Sequence, residues 1–319
     1  MNANTAKQIE NMKKQTIGVE VEMYSISRQK ASKVAADYFG TGRYEYTADR
    51  NGYYTWSAWD GQGREWKFQR DVSIDAESGN EQTELVTPIL HYEDIATLQE
   101  LLRNLRHAGA KSNPRHMCGV HIHIGKADHT AQTLRNLANI MASHESLLIA
   151  AMRLDQNRLG RYCRTVSRNF LDRLNKKKPQ TMQALADIWY EGNGASYGRH
   201  QHYNESRYHC LNLHATFTKG TIEFRLFQFA NPTAEKKGGI HAGELKSYIQ
   251  LCLALSEMAK EVKTASPKEP QRENPKFAMR TWLMRLGFIG EEFATAREIL
   301  TRNLEGDAAF RFGRNTPSA

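Results

Sequence analysis

The sequence lacks any apolar stretch that approaches the roughly 20 residues needed by a membrane-spanning helix. Its polar N-terminus also lacks the apolar core of a secretory signal peptide. Only four cysteines occur in 319 residues, and none forms a Cys-x-x-Cys pair, which argues against structural zinc and against a disulfide framework. We therefore expect a cytoplasmic protein with reduced, mostly buried thiols and no membrane partner.

Glycine-rich phosphate loops are missing as well. No segment matches Gly-x-x-x-x-Gly-Lys-Ser/Thr or Gly-x-Gly-x-x-Gly, so neither of these loop types is available to bind a nucleotide. The chain has 44 Lys and Arg against 35 Asp and Glu, a net charge of +9, which suits a polyanionic partner such as nucleotide phosphates, nucleic acid or an acidic polymer. Charge alone does not choose among these partners.

One strand pattern near the middle of the chain carries two charged groups. In Thr221 to Phe229 the apolar and charged residues alternate, so that Glu223 and Arg225 project from the same face. An isolated Glu-x-Arg pair is most often a salt bridge on the solvated face of a half-buried strand. Other strands of this chain repeat the pattern, which favours a shared site.

Three further segments resemble strands with polar groups on one face. Ile17 to Met23 places Glu20 and Glu22 side by side, and two adjacent carboxylates repel each other unless solvent or a cation separates them. Hard divalent cations prefer such oxygen ligands. The other two segments are Glu84 to Pro88, which begins with a carboxylate, and Gly119 to Ile124, which places His121 and His123 on one face.

Taken together, these segments resemble the amidoligase family, within the superfamily of carboxylate-amine ligases that includes glutamine synthetase and glutamate-cysteine ligase. The resemblance runs from about Ile17 to Asn231, and the order and combination of the motifs are more specific than any one of them. The residues that carry it are Gly18-Val19-Glu20-Val21-Glu22, Asp71-Val72-Ser73-Ile74, Glu84-Leu85-Val86-Thr87-Pro88, Cys118-Gly119-Val120-His121-Ile122-His123, Arg207-Tyr208-His209-Cys210-Leu211-Asn212 and Thr221-Ile222-Glu223-Phe224-Arg225.

The resemblance implies an α+β fold, with an antiparallel or mixed catalytic sheet like that of glutamine synthetase and helices packed on its outer face. It also implies an ATP-dependent ligase that joins a carboxylate to an amine through an acyl phosphate. The expected cofactors are ATP and Mg²⁺ or Mn²⁺, because phosphoryl transfer needs metal ions to neutralise the phosphate oxygens. The expected substrates are an amino acid, a glutamyl compound or a peptide, together with an amine.

Site roles follow from the same resemblance, position by position. The metal ligands would be four glutamates: Glu20, Glu22, Glu84 and Glu223. Arg225 and Arg207 would hold the transferring phosphate or the substrate carboxylate, since guanidinium groups meet such anions bidentately, and Glu223 would share in catalysis. The remaining nucleotide or substrate contacts would be His121, His123, Asn212, Asp71 and Ser73. For each arginine a structural salt bridge is the competing interpretation, and for each histidine a purely structural role.

The periodicity also predicts an organisation along the chain. We expect helices at Ser27–Gly40, Glu93–Ala108, Thr130–Met152 and His241–Val262, and two hairpins, one at Tyr53–Trp59 with Glu65–Arg70 (continued by Asp71–Ile74) and one at Tyr208–Thr216 with Thr221–Phe229. The predicted domains are a polar leader over 1–15, a catalytic domain over 16–262 with a basic helical insertion at about 153–200, a linker over 263–277, C-terminal helices over 278–310 and a tail over 311–319.

Two alternatives to the ligase remain open. A kinase-like phosphotransferase on the same fold would use the same carboxylates and arginines. A nucleic-acid-binding protein would use the basic segment from Arg153 to Lys178, in which Tyr162 and Phe170 are interleaved. The second alternative is the less favoured, because it leaves the strand carboxylates unexplained. The sequence does not predict the oligomeric state.

Overall fold

The structure is a computed structural model that describes residues 3–47, 52–233, 238–270 and 273–312. Among these residues the strands are β1 Ile17–Met23, β2 Tyr44–Thr47, β3 Thr55–Trp59, β4 Glu65–Gln69, β5 Thr83–Val86, β6 Val120–Gly125, β7 Leu211–Asn212 and β8 Thr221–Phe227. The α-helices are α1 Ala3–Lys13, α2 Arg28–Tyr38, α3 Ile95–His107, α4 Ala131–Met152, α5 Gln156–Arg161, α6 Arg168–Lys177, α7 Met182–Gly192, α8 His214–Thr218, α9 Ala242–Glu261, α10 Pro275–Arg285 and α11 Ala294–Thr301. None of the described helices is long and apolar enough to cross a membrane.

The chain divides into two compact units. The sheet unit comprises Gln15–Gly125 and Glu223–Lys246, and the helical unit comprises Met1–Lys14, Lys126–Ile222 and Ser247–Ala319. Strand β8 and helix α9 therefore each contribute residues to both units. The fold is α+β with an antiparallel sheet, which confirms the predicted fold class.

The sheet unit is built on the strand order β2-β3-β4-β5-β1-β6-β8. Each pairing from β2 to β6 is antiparallel, and the register aligns apolar side chains across one face in the row Phe68, Leu85, Val21 and Val120, all fully buried. Helix α2 packs on this apolar side against β3 and β4, where the ring of Phe39 meets that of Trp66 at 5.0 Å between centroids. Because side chains alternate along a strand, the same register places the even-numbered polar residues of β1 on the opposite face.

Several predicted elements are found with small shifts of their ends. Helix α2 begins where predicted, since the Ser27 side chain accepts a hydrogen bond from Lys30 N. Thr130 caps α4 in the same way, and the hairpin of β3 and β4 forms around the predicted Asp60 to Gly63 turn. Helix α10 begins at Pro275, inside the predicted linker, because Asn274 caps it by accepting from Phe277 N. The predicted tail lies, from residue 313 onward, outside the described residues.

Two predictions about strands are wrong. The segment from Tyr208 to Thr216 does not form a hairpin strand: only β7 is extended, and the chain then coils into α8. The side chain of Asn212 accepts from His214 N and starts this turn, and residues 211 to 216 are buried on every side, a pattern that does not distinguish helix from strand. The segment Asp71–Ile74 does not continue β4, because the Asp71 carboxylate accepts from Ser73 N and turns the chain.

In the helical unit, a buried carboxylate gives the fold a pH dependence. Burial raises the pKa of Glu145 to about 7, although both carboxylate oxygens accept from Val166 N. The folded protein therefore holds this proton more tightly than the unfolded chain does. We expect the contribution of Glu145 to the free energy of unfolding to fall by roughly 3 kcal/mol as the pH rises from about 4.5 to about 7. Burial lowers the pKa of His129 and of His209 to about 4, so these two histidines contribute in the opposite direction. Urea unfolding should therefore show that Glu145→Gln gains stability relative to the parent, by about this amount, as the pH rises across this range.

The control for this experiment is Glu298→Gln, which removes an exposed carboxylate of the same unit. That variant should keep the parental slope. An equal slope in the parent and in Glu145→Gln would show that this carboxyl is not the source of the pH dependence.

Candidate active site

The polar face of the sheet collects carboxylates and imidazoles through strand register. Glu22 of β1 lies opposite Glu84 of β5, and Glu20 of β1 lies opposite His121 of β6. Directly paired residues of neighbouring strands share a face with Cβ atoms about 5 Å apart. The two glutamates of β1 therefore have the Glu84 carboxylate on one side and the imidazoles of β6 on the other. The side chains in this set are all more than nine-tenths buried, except that of Glu20.

Hydrogen bonds and ion pairs link the imidazoles to the β1 carboxylates. His121 Nδ1 lies 3.0 Å from Glu20 Oε2, and His121 Nε2 lies 3.7 Å from Glu22 Oε1. His123 Nε2 lies 3.3 Å from the other oxygen of Glu20. Gly119 N donates to Glu22 Oε2, which fixes the orientation of that carboxylate. Both histidines therefore contact the glutamates that the sequence predicts as metal ligands.

Strand β8 adds a buried ion pair to the same face. Arg225 Nη1 donates to Glu223 Oε1, and the side chains retain only 5% and 2% of their exposure. The pair is therefore not the solvated surface salt bridge that an isolated Glu-x-Arg pattern favours. Removing two charges from water is costly and is tolerated where geometry and neighbouring charges compensate, which makes this pair informative about function.

The turn at Asp71 and the side-chain amide of Gln69 lie beside the carboxylates of Glu22 and Glu84. Asp71, which follows β4, lies with Glu22 and Glu84 in one group of oxygen atoms, and Gln69 Nε2 donates to Glu84 Oε2 at 2.7 Å. Ser73 contacts Asp71 through its backbone nitrogen. Sequence reasoning missed Gln69, although its position two residues before Asp71, at the end of a predicted strand, was the available signal.

The electrostatic environment shifts the pKa values of Glu84 and Glu20 in opposite directions. Burial raises the pKa of Glu84 well above its usual value, and the charges of Glu20, Asp71 and Glu22 add to this effect. Burial acts in the same direction on Glu20, but the charges and hydrogen bonds of His123 and His121 outweigh it and hold the pKa of Glu20 well below its usual value. The carboxyl of Glu84 therefore resists ionisation, whereas that of Glu20 ionises readily.

Burial and neighbouring charges also act in opposite directions on the pKa values of Glu223 and Arg225 in β8. Burial opposes ionisation of Glu223, yet the charge of Arg225, with that of His123, lowers its pKa to about 2. Burial likewise opposes the charged form of Arg225, but Glu223 and Glu20 raise its pKa. Glu223 is thus a carboxylate and Arg225 a cation throughout the physiological pH range.

Within the described ranges of the chain, three overlapping groups of side chains could hold a metal ion. They are Glu20 with His123 and Glu223, Glu20 with Glu84 and His121, and Glu22 with Asp71 and Glu84, and within each group the candidate ligand atoms lie within 4.8 Å of one another. The third group offers only carboxylate oxygens, which suits Mg²⁺, and the other two add an imidazole, which suits Mn²⁺ as well. The mutual repulsion that raises the pKa of Glu84 is what a divalent cation would relieve, so these residues fit the expected metal.

Two predicted residues belong to the other unit. Arg207 lies in the helical unit, where it donates to the carbonyl of His202 and its guanidinium lies 5.4 Å from the ring centroid of Tyr203. Asn212, also in the helical unit, is buried in β7. Their roles as phosphate or substrate contacts stay predictions. The sheet unit brings together the other predicted residues: Glu20, Glu22, Asp71, Ser73, Glu84, His121, His123, Glu223 and Arg225.

Comparison with known proteins decides the family. A family model described as "Putative amidoligase enzyme" matches residues 13–256, which is more than half of the chain. The chain belongs to the amidoligase family. The family predicted from the motifs is therefore confirmed, and membership supports a ligase-type activity.

Other comparisons are more distant. No curated protein matches the chain significantly. A solved structure described as "Crystal structure of a bifunctional glutathione synthetase from Pasteurella multocida" is 13% identical, with a TM-score of 0.46, over 95% of this chain and 49% of that one. The amidoligase chain thus spans about half the length of that protein. A likeness this distant says nothing about activity.

Proposed function

We propose that this amidoligase is an ATP-dependent carboxylate-amine ligase that forms an amide or isopeptide bond through an acyl phosphate and releases ADP. The observation that carries the proposal is the convergence, in a member of this family, of carboxylates from β1, β5 and β8 beside the buried cation of Arg225. A carboxylate cluster of this kind suits divalent metal ions, and a buried guanidinium suits an anion. Phosphoryl transfer needs both the metal ions and a cationic group that holds the phosphate.

The chemistry consists of two displacements. An oxygen of the substrate carboxylate attacks the γ-phosphorus of ATP and the bond to ADP breaks; the amine nitrogen then attacks the acyl carbon, and inorganic phosphate leaves. Glu20, Glu22, Glu84 and Glu223 would hold Mg²⁺ or Mn²⁺, which supplies charge neutralisation of the phosphate oxygens. Arg225 would orient the transferring phosphoryl group or the carboxylate, and His121 or His123 would contact a phosphate oxygen.

The remaining contacts to nucleotide or substrate would be Arg207, Asn212, Asp71 and Ser73. The acid would be an amino acid, a glutamyl compound or a peptide, and the location cytoplasmic. A membrane partner is not proposed.

Metal and nucleotide should stabilise the protein together. The buried glutamates would repel the triphosphate of ATP in the absence of a cation, so we expect ATP with Mg²⁺ or Mn²⁺ to raise the melting temperature and ATP with excess chelator to leave it unchanged. At a hundred times the dissociation constant, the stabilisation should be about 2.7 kcal/mol. Equal stabilisation by ATP in chelator would count against metal-dependent binding.

Hydroxylamine distinguishes the ligase from a kinase-like phosphotransferase on the same fold. An acyl phosphate reacts with hydroxylamine to give a hydroxamate, whereas a phosphorylated alcohol does not. We expect hydroxamate to accumulate with ADP when ATP, Mg²⁺ and an acid substrate are present, as measured by its coloured iron complex. ADP formation with no hydroxamate would favour the phosphotransferase.

The basic segment from Arg153 to Lys178 gives little support to a nucleic-acid-binding function. It does not form one continuous basic surface: Arg158 is only 1% exposed, and Arg173 and Lys177 both contact Glu191. Lys176, Lys177 and Lys178 are exposed at the end of α6. A solvated helix end explains these three charges without a nucleic-acid partner.

A further inference from the structure

A second feature of the sheet unit is a small cavity of about 290 Å³ beyond the end of β4. Its volume is at the lower end of the range for ligand sites, which suits a small acid rather than a nucleotide. Among the described residues, the lining contains two cations and no carboxylate: Arg28, Tyr54, Arg70, Ser78, Gly79 and Asn80.

Arg28 forms the fixed wall of this cavity. It is 6% exposed, and its guanidinium donates through Nε to the carbonyl of Tyr54 and through Nη1 to those of Gly79, Asn80 and Gln82. These bonds tie the loop before β5 to the start of α2. Burial lowers the pKa of Arg28, and the positive charge of Arg70 lowers it further, which is the mark of two cations that face each other.

Arg70 forms the second cationic wall. Its Nε donates to Gln82 Oε1 at 2.8 Å, whereas within the described part of the chain neither of its terminal nitrogens, nor Nη2 of Arg28, donates a hydrogen bond. The guanidinium of Arg70 lies against Gly79, where an added Cβ would sit 3.3 Å from Nη2. Glycine at this position therefore leaves room for the guanidinium. Guanidinium donors that the described residues leave unused can make charge-assisted hydrogen bonds to a carboxylate.

Two short chain segments connect the cavity to the acidic cluster of Glu22, Asp71 and Glu84. Arg70 directly precedes Asp71, which belongs to the cluster with Glu22 and Glu84. Gln82, which accepts from Arg70, is extended and lies two residues before Glu84, so their side chains leave the same face about 7 Å apart along the strand. The spacing of two strand residues is the length of a short acid with a few carbon atoms between its two ends.

We propose that Arg28 and Arg70 bind a carboxylate of the acid substrate that does not react, so that the substrate is a small dicarboxylate or a compound with a second carboxylate at similar spacing. This inference rests on the proposed ligase function for the identity of the reacting end. The binding of the anion itself depends only on the two guanidinium groups.

Calorimetric titration with glutarate tests the cavity without ATP. Glutarate should bind the parent protein in saturating Mg²⁺ at low ionic strength, and Arg70→Gln should weaken binding about tenfold or more, equivalent to at least about 1.4 kcal/mol. Arg103→Gln is the control, since Arg103 pairs with Glu100 on the surface of α3 and its loss changes the net charge equally.

Several outcomes would overturn the proposal. If Arg70→Gln binds glutarate as tightly as the parent does, or if Arg103→Gln loses as much affinity, the cavity is not the binding site. Tight binding of inorganic phosphate with none of glutarate would assign the cavity to phosphate instead.

Kinetics separate this inference from the ligase proposal. With glutarate as the acid and an active amine, Arg70→Gln should raise the KM for glutarate about tenfold with little change in kcat, and should leave the KM for pentanoate unchanged. If no acid supports ADP release but glutarate binding still depends on Arg70, the ligase proposal fails and the anion site stands. If ADP forms and Arg70→Gln alters neither binding nor KM, the anion site alone fails.

Discussion

Replacing Glu223 with Gln should abolish ADP formation while the protein remains folded. Gln keeps the length of the side chain and an oxygen that can accept from Arg225, but it removes the charge that would hold a metal ion. Complete loss of one partner of a buried ion pair costs about 3–5 kcal/mol. Because Gln retains the acceptor and Glu20 still faces Arg225, we expect a smaller loss, of about 1–3 kcal/mol.

The measurement is ADP release at saturating Mg²⁺, with a melting curve for each variant. Glu65→Gln is the matched control: Glu65 lies on β4 of the same sheet, where it accepts from Ser57 and is outside the acidic cluster. That variant should keep both turnover and stabilisation by ATP with Mg²⁺. A folded Glu223→Gln protein with near-parental turnover would remove β8 from the active site and, with it, the proposed ligase.

The polar face was predictable because strand alternation is a local property. Glu20 and Glu22, or His121 and His123, are two residues apart and leave a strand on the same side whatever the rest of the chain does. Which strands become neighbours is not local. That Glu22 lies opposite Glu84 depends on β5 inserting between β4 and β1, an arrangement that only the packed sheet determines.

Burial of charged groups was the least predictable feature. The pattern around Glu223 and Arg225 is equally consistent with an exposed or a buried face, because period-two alternation does not say which face meets solvent. The arginine cavity was unpredictable for a similar reason. Arg28 follows a helix cap and Arg70 follows a strand, and neither position indicates that the two guanidinium groups lie near each other. The turn at Asp71, made by its own side chain, ends the extended chain where the sequence predicted that the strand would continue.

A final prediction concerns Glu84, whose replacement should raise stability and remove function together. The raised pKa of Glu84 means that its ionised form is disfavoured in the folded protein by burial and by Glu20, Asp71 and Glu22. In the absence of metal, the contribution of Glu84 to the stability of the parent should therefore fall as the pH rises above about 4.5, the ordinary pKa of this carboxyl in the unfolded chain. Glu84→Gln removes this repulsion and can keep the contact with Gln69 through its amide oxygen.

We therefore expect metal-free Glu84→Gln to be more stable than the parent at neutral pH, and each kcal/mol of stabilisation should raise the melting temperature by roughly 2–4 °C. Stabilisation by ATP with Mg²⁺, and ADP release, should both be lost, because a neutral amide is a poor ligand for a hard divalent cation. Glu45→Gln, on the exposed edge strand β2, should change neither property. A destabilised Glu84→Gln protein that still responds to Mg²⁺ would contradict this account. The ionised carboxylate of Glu84 would then neither lower the stability of the metal-free protein nor hold the metal.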